Sequence, residues 1–202
     1  MPTTALARLS ILCILIALTA CESGEYVGTP KPRTYPRIDF PERAYRSFDE
    51  AYCDFTFEYP TYARVEQDKD FFGEAPSHPC WFDIYYPQFD ARIHATYESI
   101  DGYDAFEELR NDAHDLAGKH NIRADYIDEF PVQREDGTAG FVFDIEGAAA
   151  SPFQFYLTDT TSNFLRGAVY FNTSARPDSL APVAAFLKED VLQLVNTLEW
   201  GD

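Results

Sequence analysis

Apolar and polar residues alternate along much of the chain, which is the pattern of strands with one buried face. From Phe55 to Tyr59 an aromatic side chain occupies every second position. A second alternation covers residues 89–97, and the turn at Pro87 before it predicts an antiparallel hairpin with the preceding apolar segment. Further strands are predicted at residues 63–67, 80–86, 124–130 (ended by Pro131), 139–145, 153–157 and 164–171.

Two segments show apolar residues at helical spacing instead. The first is expected to begin at Asp101-Gly102 and to end near Gly118, and its apolar positions are Phe106, Leu109, Ala113 and Leu116. The second is expected to have Ser179 as its N-cap and Pro182 in its first turn. Its apolar positions are Val183, Phe186, Leu187, Val191, Leu194, Val195 and Leu198.

The order of these elements is strands, helix, strands, helix, and nothing in it requires parallel crossovers. The predicted fold class is therefore α+β, with a single antiparallel β-sheet and two main helices packed on it. An aromatic content of 16% also favours a core rich in sheet.

The N-terminus has the pattern of a bacterial lipoprotein signal. Arg8 precedes an apolar stretch at residues 9–18, which is shorter than the roughly 20 residues that a membrane-spanning helix needs. The stretch closes in Leu18-Thr19-Ala20-Cys21, which resembles a lipobox, so Cys21 is the predicted lipidation site. The alternative is an ordinary secretory signal that ends by chance on a cysteine.

The predicted organisation is a signal peptide at residues 1–20, a Pro-rich tether at 21–48 and the α+β domain at 49–202. The prolines favour an extended spacer. Arg33, Tyr35 and Arg37 are unnecessary in a pure spacer, so we expect part of this segment to dock on the domain or on a partner.

Two cysteines remain in the exported domain, Cys53 and Cys80. In an oxidising compartment such a pair predicts a structural disulfide. The alternatives are a redox pair or a metal site, although the spacing is not Cys-x-x-Cys.

The chain carries a formal net charge of −18. Since nucleic-acid binding depends on Lys and Arg that neutralise phosphates, we expect no nucleic acid as a partner. The chain also lacks a Gly-x-Ser-x-Gly elbow, a phosphate-binding loop, a His-Glu-x-x-His motif and an EF-hand loop. The sequence therefore predicts no catalytic residue, no metal site and no cofactor.

One segment, residues 150–167, places polar groups among aromatic residues. The polar groups are Gln154, Asp159, Asn163 and Arg166. One interpretation is a turn held by Asp and Ser/Thr side chains, with an Arg–carboxylate pair nearby. The other is a recognition surface for a partner or a ligand.

Several stretches resemble the gliding motility lipoprotein GldD family of Bacteroidetes. They are residues 30–41 (PKPRTYPRIDFP), 119–125 (KHNIRAD), 150–172, 178–183 (DSLAPV), the cysteines Cys53 and Cys80 with Trp81, and the end at Trp200. Asn163 departs from the family, which often has a histidine before the Phe-Leu-Arg-Gly stretch. This weakens any proposal of a catalytic or metal-binding histidine there.

The resemblance implies a role in gliding and a link to type IX secretion. No enzymatic activity or catalytic residue carries over from it, and the molecular role stays open. The first hypothesis is a lipid-anchored accessory or assembly protein that faces the periplasm and binds other envelope proteins of that machinery. The second is a periplasmic module that binds a small molecule or a peptidoglycan fragment, and a third is an envelope hydrolase. A deep pocket with converging ionisable groups would favour the second or third, and an exposed aromatic patch would favour the first.

Overall fold

A computed structural model describes residues 37–70, 73–174 and 176–201. Within them, ten strands and two α-helices form one compact unit that begins at Ile38. The helices are α1 (Tyr103–Gly118) and α2 (Pro177–Thr197), and a short 3₁₀-helix, Lys119–Ile122, follows α1. The strands are β1 (Tyr45–Phe48), β2 (Phe55–Pro60), β3 (Arg64–Gln67), β4 (Phe82–Tyr86), β5 (Ala91–Ser99), β6 (Ala124–Gln133), β7 (Ala139–Gly147), β8 (Phe153–Thr158), β9 (Asn163–Phe171) and β10 (Glu199–Trp200).

The strands form two antiparallel sheets, so the expectation of a single sheet is wrong. Seven strands pair in the order β3-β4-β5-β9-β8-β7-β6. The remaining three pair in the order β1-β2-β10. The partners of β2 come from the Pro-rich segment and from the end of the chain, and both are too short to show an alternating pattern.

One face of the large sheet packs against α2 and the small sheet. In the helix, Leu187, Val191 and Leu194 are fully buried, as the helical spacing predicts. The rings of Phe48 and Phe57 stack with centroids 4.5 Å apart, so an aromatic cluster joins β1 and β2 to this core.

The opposite face of the large sheet packs against α1. Ala113 and Ala117 of the helix lie in a second apolar cluster with Phe143, Tyr156 and Phe164 of the sheet. The small alanine side chains allow a close approach of helix and sheet. The sheet residues of this cluster belong to β7, β8 and β9. Strand β5 instead presents polar side chains on the same face, next to α1.

A disulfide joins Cys53 and Cys80, with Cα atoms 5.1 Å apart, and confirms the predicted pair. The two cysteines lie just ahead of β2 and β4, which belong to different sheets. The bond therefore links the small sheet covalently to the large one.

Prolines account for two differences from the predicted element ends. Pro131 does not end β6, which continues to Gln133, because β6 is an edge strand and such strands tolerate a residue without an N–H. Helix α2 begins at Pro177 with Arg176 as its N-cap, so Ser179 and Pro182 both lie inside the helix. Proline is favoured at the first helical position, where the N–H has no intrahelical partner.

In the part of the chain that the structure describes, no helix is both long and apolar enough to cross a membrane.

Candidate functional site

A polar groove lies on the α1 side of the large sheet. It has a volume of about 750 Å³ and is bounded by β4, β5 and β9 on the sheet side and by α1 on the other. Strand β5 contributes alternate residues to it, because Arg92, His94, Thr96 and Glu98 share one face while the residues between them are buried in the other core. The groove therefore combines charged groups from the sheet with Leu109, Leu116 and the acid Asp112 from the helix.

Asp83 of β4, which lines the groove, is paired with two residues of β5. Asp83 Oδ2 accepts a hydrogen bond of 2.5 Å from Arg92 Nη1, and Asp83 Oδ1 lies 2.8 Å from His94 Nδ1. Burial acts to raise the pKa of Asp83, but the hydrogen bonds and positive charges of His94 and Arg92 outweigh it and lower that pKa. Asp83 thus stays ionised, and its charge is largely neutralised inside the groove.

Arg166 of β9 reaches into the same groove and has neutral partners. Its Nη2 donates to Gln154 Oε1 at 2.7 Å, and its guanidinium also bonds the side chain of Tyr170. No carboxylate of the described residues forms an ion pair with it. Burial lowers the pKa of Arg166 below its usual value, and only Tyr170 acts in the opposite direction. Arginine remains charged even so.

His120 lies in the 3₁₀-helix at the end of α1, one turn beyond Leu116. Burial lowers its pKa, and the positive charge of Arg166 lowers it further. The segments 119–125 and 150–167, which the sequence singles out separately, therefore lie close enough for the charge of Arg166 to act on His120.

Asp159 and Asn163 serve a turn between β8 and β9 and do not pair with Arg166. Asp159 Oδ1 accepts from the backbone N–H groups of Thr161, Ser162 and Asn163 at 2.7–2.9 Å, and its Oδ2 accepts from Asn163 Nδ2. Burial acts to raise the pKa of Asp159, but these hydrogen bonds outweigh it and lower that pKa. The candidate residues thus fall into two groups, Gln154 with Arg166 and Asp159 with Asn163.

Of the other predicted site residues, Cys21, Arg33 and Tyr35 lie outside the described residues. Arg37 is the first described residue and is exposed. Immediately after it, the chain docks on α2: the Phe40 ring stacks on Phe186 with centroids 4.7 Å apart.

A buried carboxylate of α2 holds this N-terminal segment. Asp190 is 1% exposed and accepts hydrogen bonds from Arg43 Nη1 at 2.5 Å, Tyr45 Oη at 3.0 Å and Tyr62 Oη at 2.7 Å. The Arg43 guanidinium also lies 4.1 Å from the centre of the Phe186 ring. We call Arg43, Tyr45, Tyr62 and Asp190 the N-terminal clamp. Residues 38–48, predicted as part of the tether, therefore pack on the domain.

An exposed aromatic pair lies on the edge strand β6. Tyr126 and Phe130 are 58% and 51% exposed, and their partners in β7 are Glu146 and Val142. Residues four apart in a strand share a face, so the two rings lie on one surface, about 13 Å apart along the strand. Asp125, Asp128 and Glu129 make the same strand acidic.

A second cavity, of about 400 Å³, lies between α2 and the ends of β7 and β8. Phe153, Phe171 and Ala184 supply apolar walls, and two of the charged residues that line it, Asp144 and Lys188, pair with each other. None of the candidate residues predicted from the sequence lines it.

Sequence reasoning missed the polar face of the β4–β5 hairpin. The signal was present, because Asp83 faces His94 across the two strands and carries the opposite charge when the histidine is protonated. Among the described residues, no cluster of His, Cys, Asp and Glu is arranged to hold a metal ion.

The chain matches a known protein family and resembles a solved structure. A family model described as gliding motility lipoprotein GldD matches residues 25–200. The chain is also similar to the solution structure of cyanobacterial PsbP (CyanoP) from Synechocystis sp. PCC 6803, at 10% identity and a TM-score of 0.44, over 82% of this chain and 97% of that chain. A search of curated proteins gives no match.

Proposed function

Since the chain belongs to the gliding motility lipoprotein GldD family, we propose that it is a lipid-anchored accessory or assembly protein of the gliding and type IX secretion machinery. It acts by binding other envelope proteins and not by catalysis. Acyl chains on Cys21 hold it to a membrane, and the domain faces the periplasm.

The observation that carries this proposal is the exposed aromatic pair on β6. Soluble domains bury most large aromatic side chains, and a pair displayed on one surface of an edge strand is typical of a protein interaction site. An edge strand also offers backbone N–H and C=O groups on its free side, to which a partner can add an extended segment.

The chemistry of β6 specifies the partner. Acidic residues flank Tyr126 and Phe130, so the complementary segment carries Lys or Arg together with apolar side chains. Pro131 has no N–H, so the partner strand pairs with the residues before it.

The test replaces both aromatic residues, Tyr126→Ser with Phe130→Ser, in a strain whose own gene is deleted. Both side chains are more than half exposed, so the variant should fold, as circular dichroism and protein level in the envelope will show. Spreading over a surface and secretion should fall towards the level of the deletion strain. The matched control is Tyr103→Ser, which removes a 67% exposed ring at the start of α1 and should leave both unchanged.

A photo-crosslinking residue at position 126 gives a direct readout of the same surface. It should capture an envelope protein that the same probe at position 103 does not. If the folded double variant spreads and secretes as the wild type does, the β6 surface is not the interface.

The second candidate, a ligand-binding module, is favoured by the polar groove. Its volume of about 750 Å³ lies within the range of small-molecule sites, roughly 300–1,000 Å³. The groove and the β6 surface are separate features, and one protein can use both.

A further inference from the structure

We propose that Arg166 is the anchor of a carboxylate-binding site in the polar groove, and that the ligand carries an apolar group next to its carboxylate. The site goes beyond the β6 interface of the proposed function and does not depend on it. It gives the ligand-binding candidate a chemical class.

The first argument is the state of the Arg166 charge. The guanidinium is half-buried, and its partners are the neutral side chains of Gln154 and Tyr170. Arg92, in the same groove, is instead paired with Asp83. A charge removed from water without a counter-charge is unfavourable, and a carboxylate from a ligand would supply one through two parallel hydrogen bonds.

The second argument is an unpartnered donor beside that guanidinium. Gln154 is 1% exposed, and its Oε1 is engaged by Arg166. Its Nε2 is buried and has no hydrogen-bond partner. Buried donors in proteins are nearly always satisfied, so a donor left over next to a cation shows that acceptors are short around Arg166.

The third argument is the charge around the site. Four acids line the groove, Asp68, Asp83, Glu98 and Asp112, and none of them forms an ion pair with Arg166. Asp83 is paired with Arg92 and His94, and Glu98 accepts a hydrogen bond from Ser77. Across the strands, the residue opposite Arg166 is Thr96 on one side and Tyr156 on the other. The neighbours of Arg166 across the strands are therefore uncharged.

The apolar part of the ligand follows from the rest of the lining. Leu109 and Leu116 of α1 face Phe164 of β9 and Trp81 across the groove. A carboxylate joined to a side chain of leucine size, as at the C-terminus of a peptide, matches this combination. A free carboxylate such as acetate shares the anchor and lacks the apolar contact.

The experiment titrates purified full-length protein in detergent with N-acetyl-alanyl-leucine, with its C-terminal amide, with acetate and with inorganic phosphate. Histidine ring signals are followed by NMR across pH, and His120→Gln identifies the signal of His120. The free acid should bind and raise the pKa of His120, because a negative charge beside Arg166 offsets the effect of the guanidinium. The amide should do neither, and acetate should bind more weakly than the peptide acid.

Two variants test the anchor, each compared with the wild type for folding by circular dichroism. Arg166→Lys keeps the charge but loses the planar pair of donors, so affinity for the acid should fall by at least about tenfold. Arg64→Gln removes one positive charge from an exposed pair with Glu66 and should leave the affinity unchanged. If Arg166→Lys does not fold, the comparison of acid with amide on the wild type decides alone.

Equal binding of acid and amide, or no binding of the acid at millimolar concentration, overturns the proposal. So does acid binding that leaves the pKa of His120 unchanged, and so does phosphate binding tighter than that of every carboxylate. None of these results bears on the β6 interface, whose test is spreading and secretion.

Discussion

At the scale of the residue, the stability of the fold depends on the local geometry at Gly167 and at Asp159. Gly167 of β9 lies directly under the ring of Phe155, and a Cβ added there would come within 2.3 Å of the ring. Phe155 is 1% exposed and has no room to move aside. Asp159 is the second position, because its carboxylate collects the backbone N–H groups of the β8–β9 turn.

Gly167→Ala should therefore destabilise the fold by about 1–3 kcal/mol, the usual range for overpacking a close-packed core. Urea unfolding followed by fluorescence measures the change. Gly118→Ala is the matched control: its nearest neighbour would be 3.9 Å away, at the end of α1, and alanine favours a helix. Equal stability of the two variants would show that Phe155 does not lie against β9.

Asp159→Ala should lower the free energy of unfolding at pH 7 by roughly 1–3 kcal/mol, because several backbone donors lose a charged acceptor. The folded-state pKa of Asp159 is lowered, so its stabilisation is present above the unfolded pKa near 4 and is lost as the pH falls through the folded value. The difference between wild type and variant should shrink between pH 5 and pH 2. A difference that stays constant over this interval would mean that the ionised carboxylate is not what holds the turn.

At the scale of the element, the N-terminal clamp is a buried ion pair between the first docked segment and α2. Burial raises the pKa of Asp190, although Tyr62, Tyr45 and Arg43 all act to lower it. The clamp therefore depends on each partner being in place. Removing Arg43 leaves the buried Asp190 carboxylate with two neutral hydroxyl donors and no counter-charge.

Arg43→Met should destabilise the protein by about 3 kcal/mol at pH 7. Without Arg43, the pKa of Asp190 rises further. The loss of stability should then be smaller at pH 4, where the carboxyl takes up a proton, and should grow as the pH rises. Asp190→Asn in the Arg43→Met background should recover part of the loss. Arg64→Met, at an exposed pair, is the control and should change stability by less than about 1 kcal/mol.

Elements with a long apolar period were predictable from the sequence, and those that depend on distant partners were not. Buried and partly exposed side chains alternate along β5. Helix α1 begins after Gly102 and ends at Gly118, as predicted. Strand β1 has four residues in a Pro-rich segment and exists because β2 pairs with it. The pairing of Arg166 with Gln154 was equally hidden, because it depends on the register of β8 against β9.

At the scale of the whole molecule, the disulfide joins the two sheets, and the predicted lipid anchor attaches the protein to a membrane. The Cys53–Cys80 bond closes a loop of 27 residues between the two sheets. In the loop-entropy account, such a loop contributes about 3.5 kcal/mol to stability.

Cys53→Ser with Cys80→Ser should lower the free energy of unfolding by about this amount. A reducing agent should destabilise the wild type to the same extent and should not affect the double variant. Peptide mapping without reduction should recover the linked pair from protein taken from the envelope. Two free thiols in that protein would contradict the bond.

Cys21→Ala should release the protein from the membrane fraction, because several acyl chains anchor a protein where one does not. Intact mass of the wild type should show an acylated N-terminal cysteine, and cell fractionation should show the variant in the soluble envelope fraction. An unmodified Cys21 in the wild type would exclude the lipid anchor.

The disulfide also sets how far a pulling force can unravel this molecule. A pull on the chain ahead of Ile38 meets the Phe40 and Arg43 contacts on α2 first, and then β1, which is a four-residue edge strand. We expect these contacts to break one after another, because the force acts on them in sequence. The load next arrives at Cys53 and passes through the covalent bond to Cys80, ahead of β4 in the large sheet. The disulfide therefore excludes residues 54–79, with β2 and β3, from the extension. Further unravelling has to begin at β4, which is paired on both sides in the large sheet.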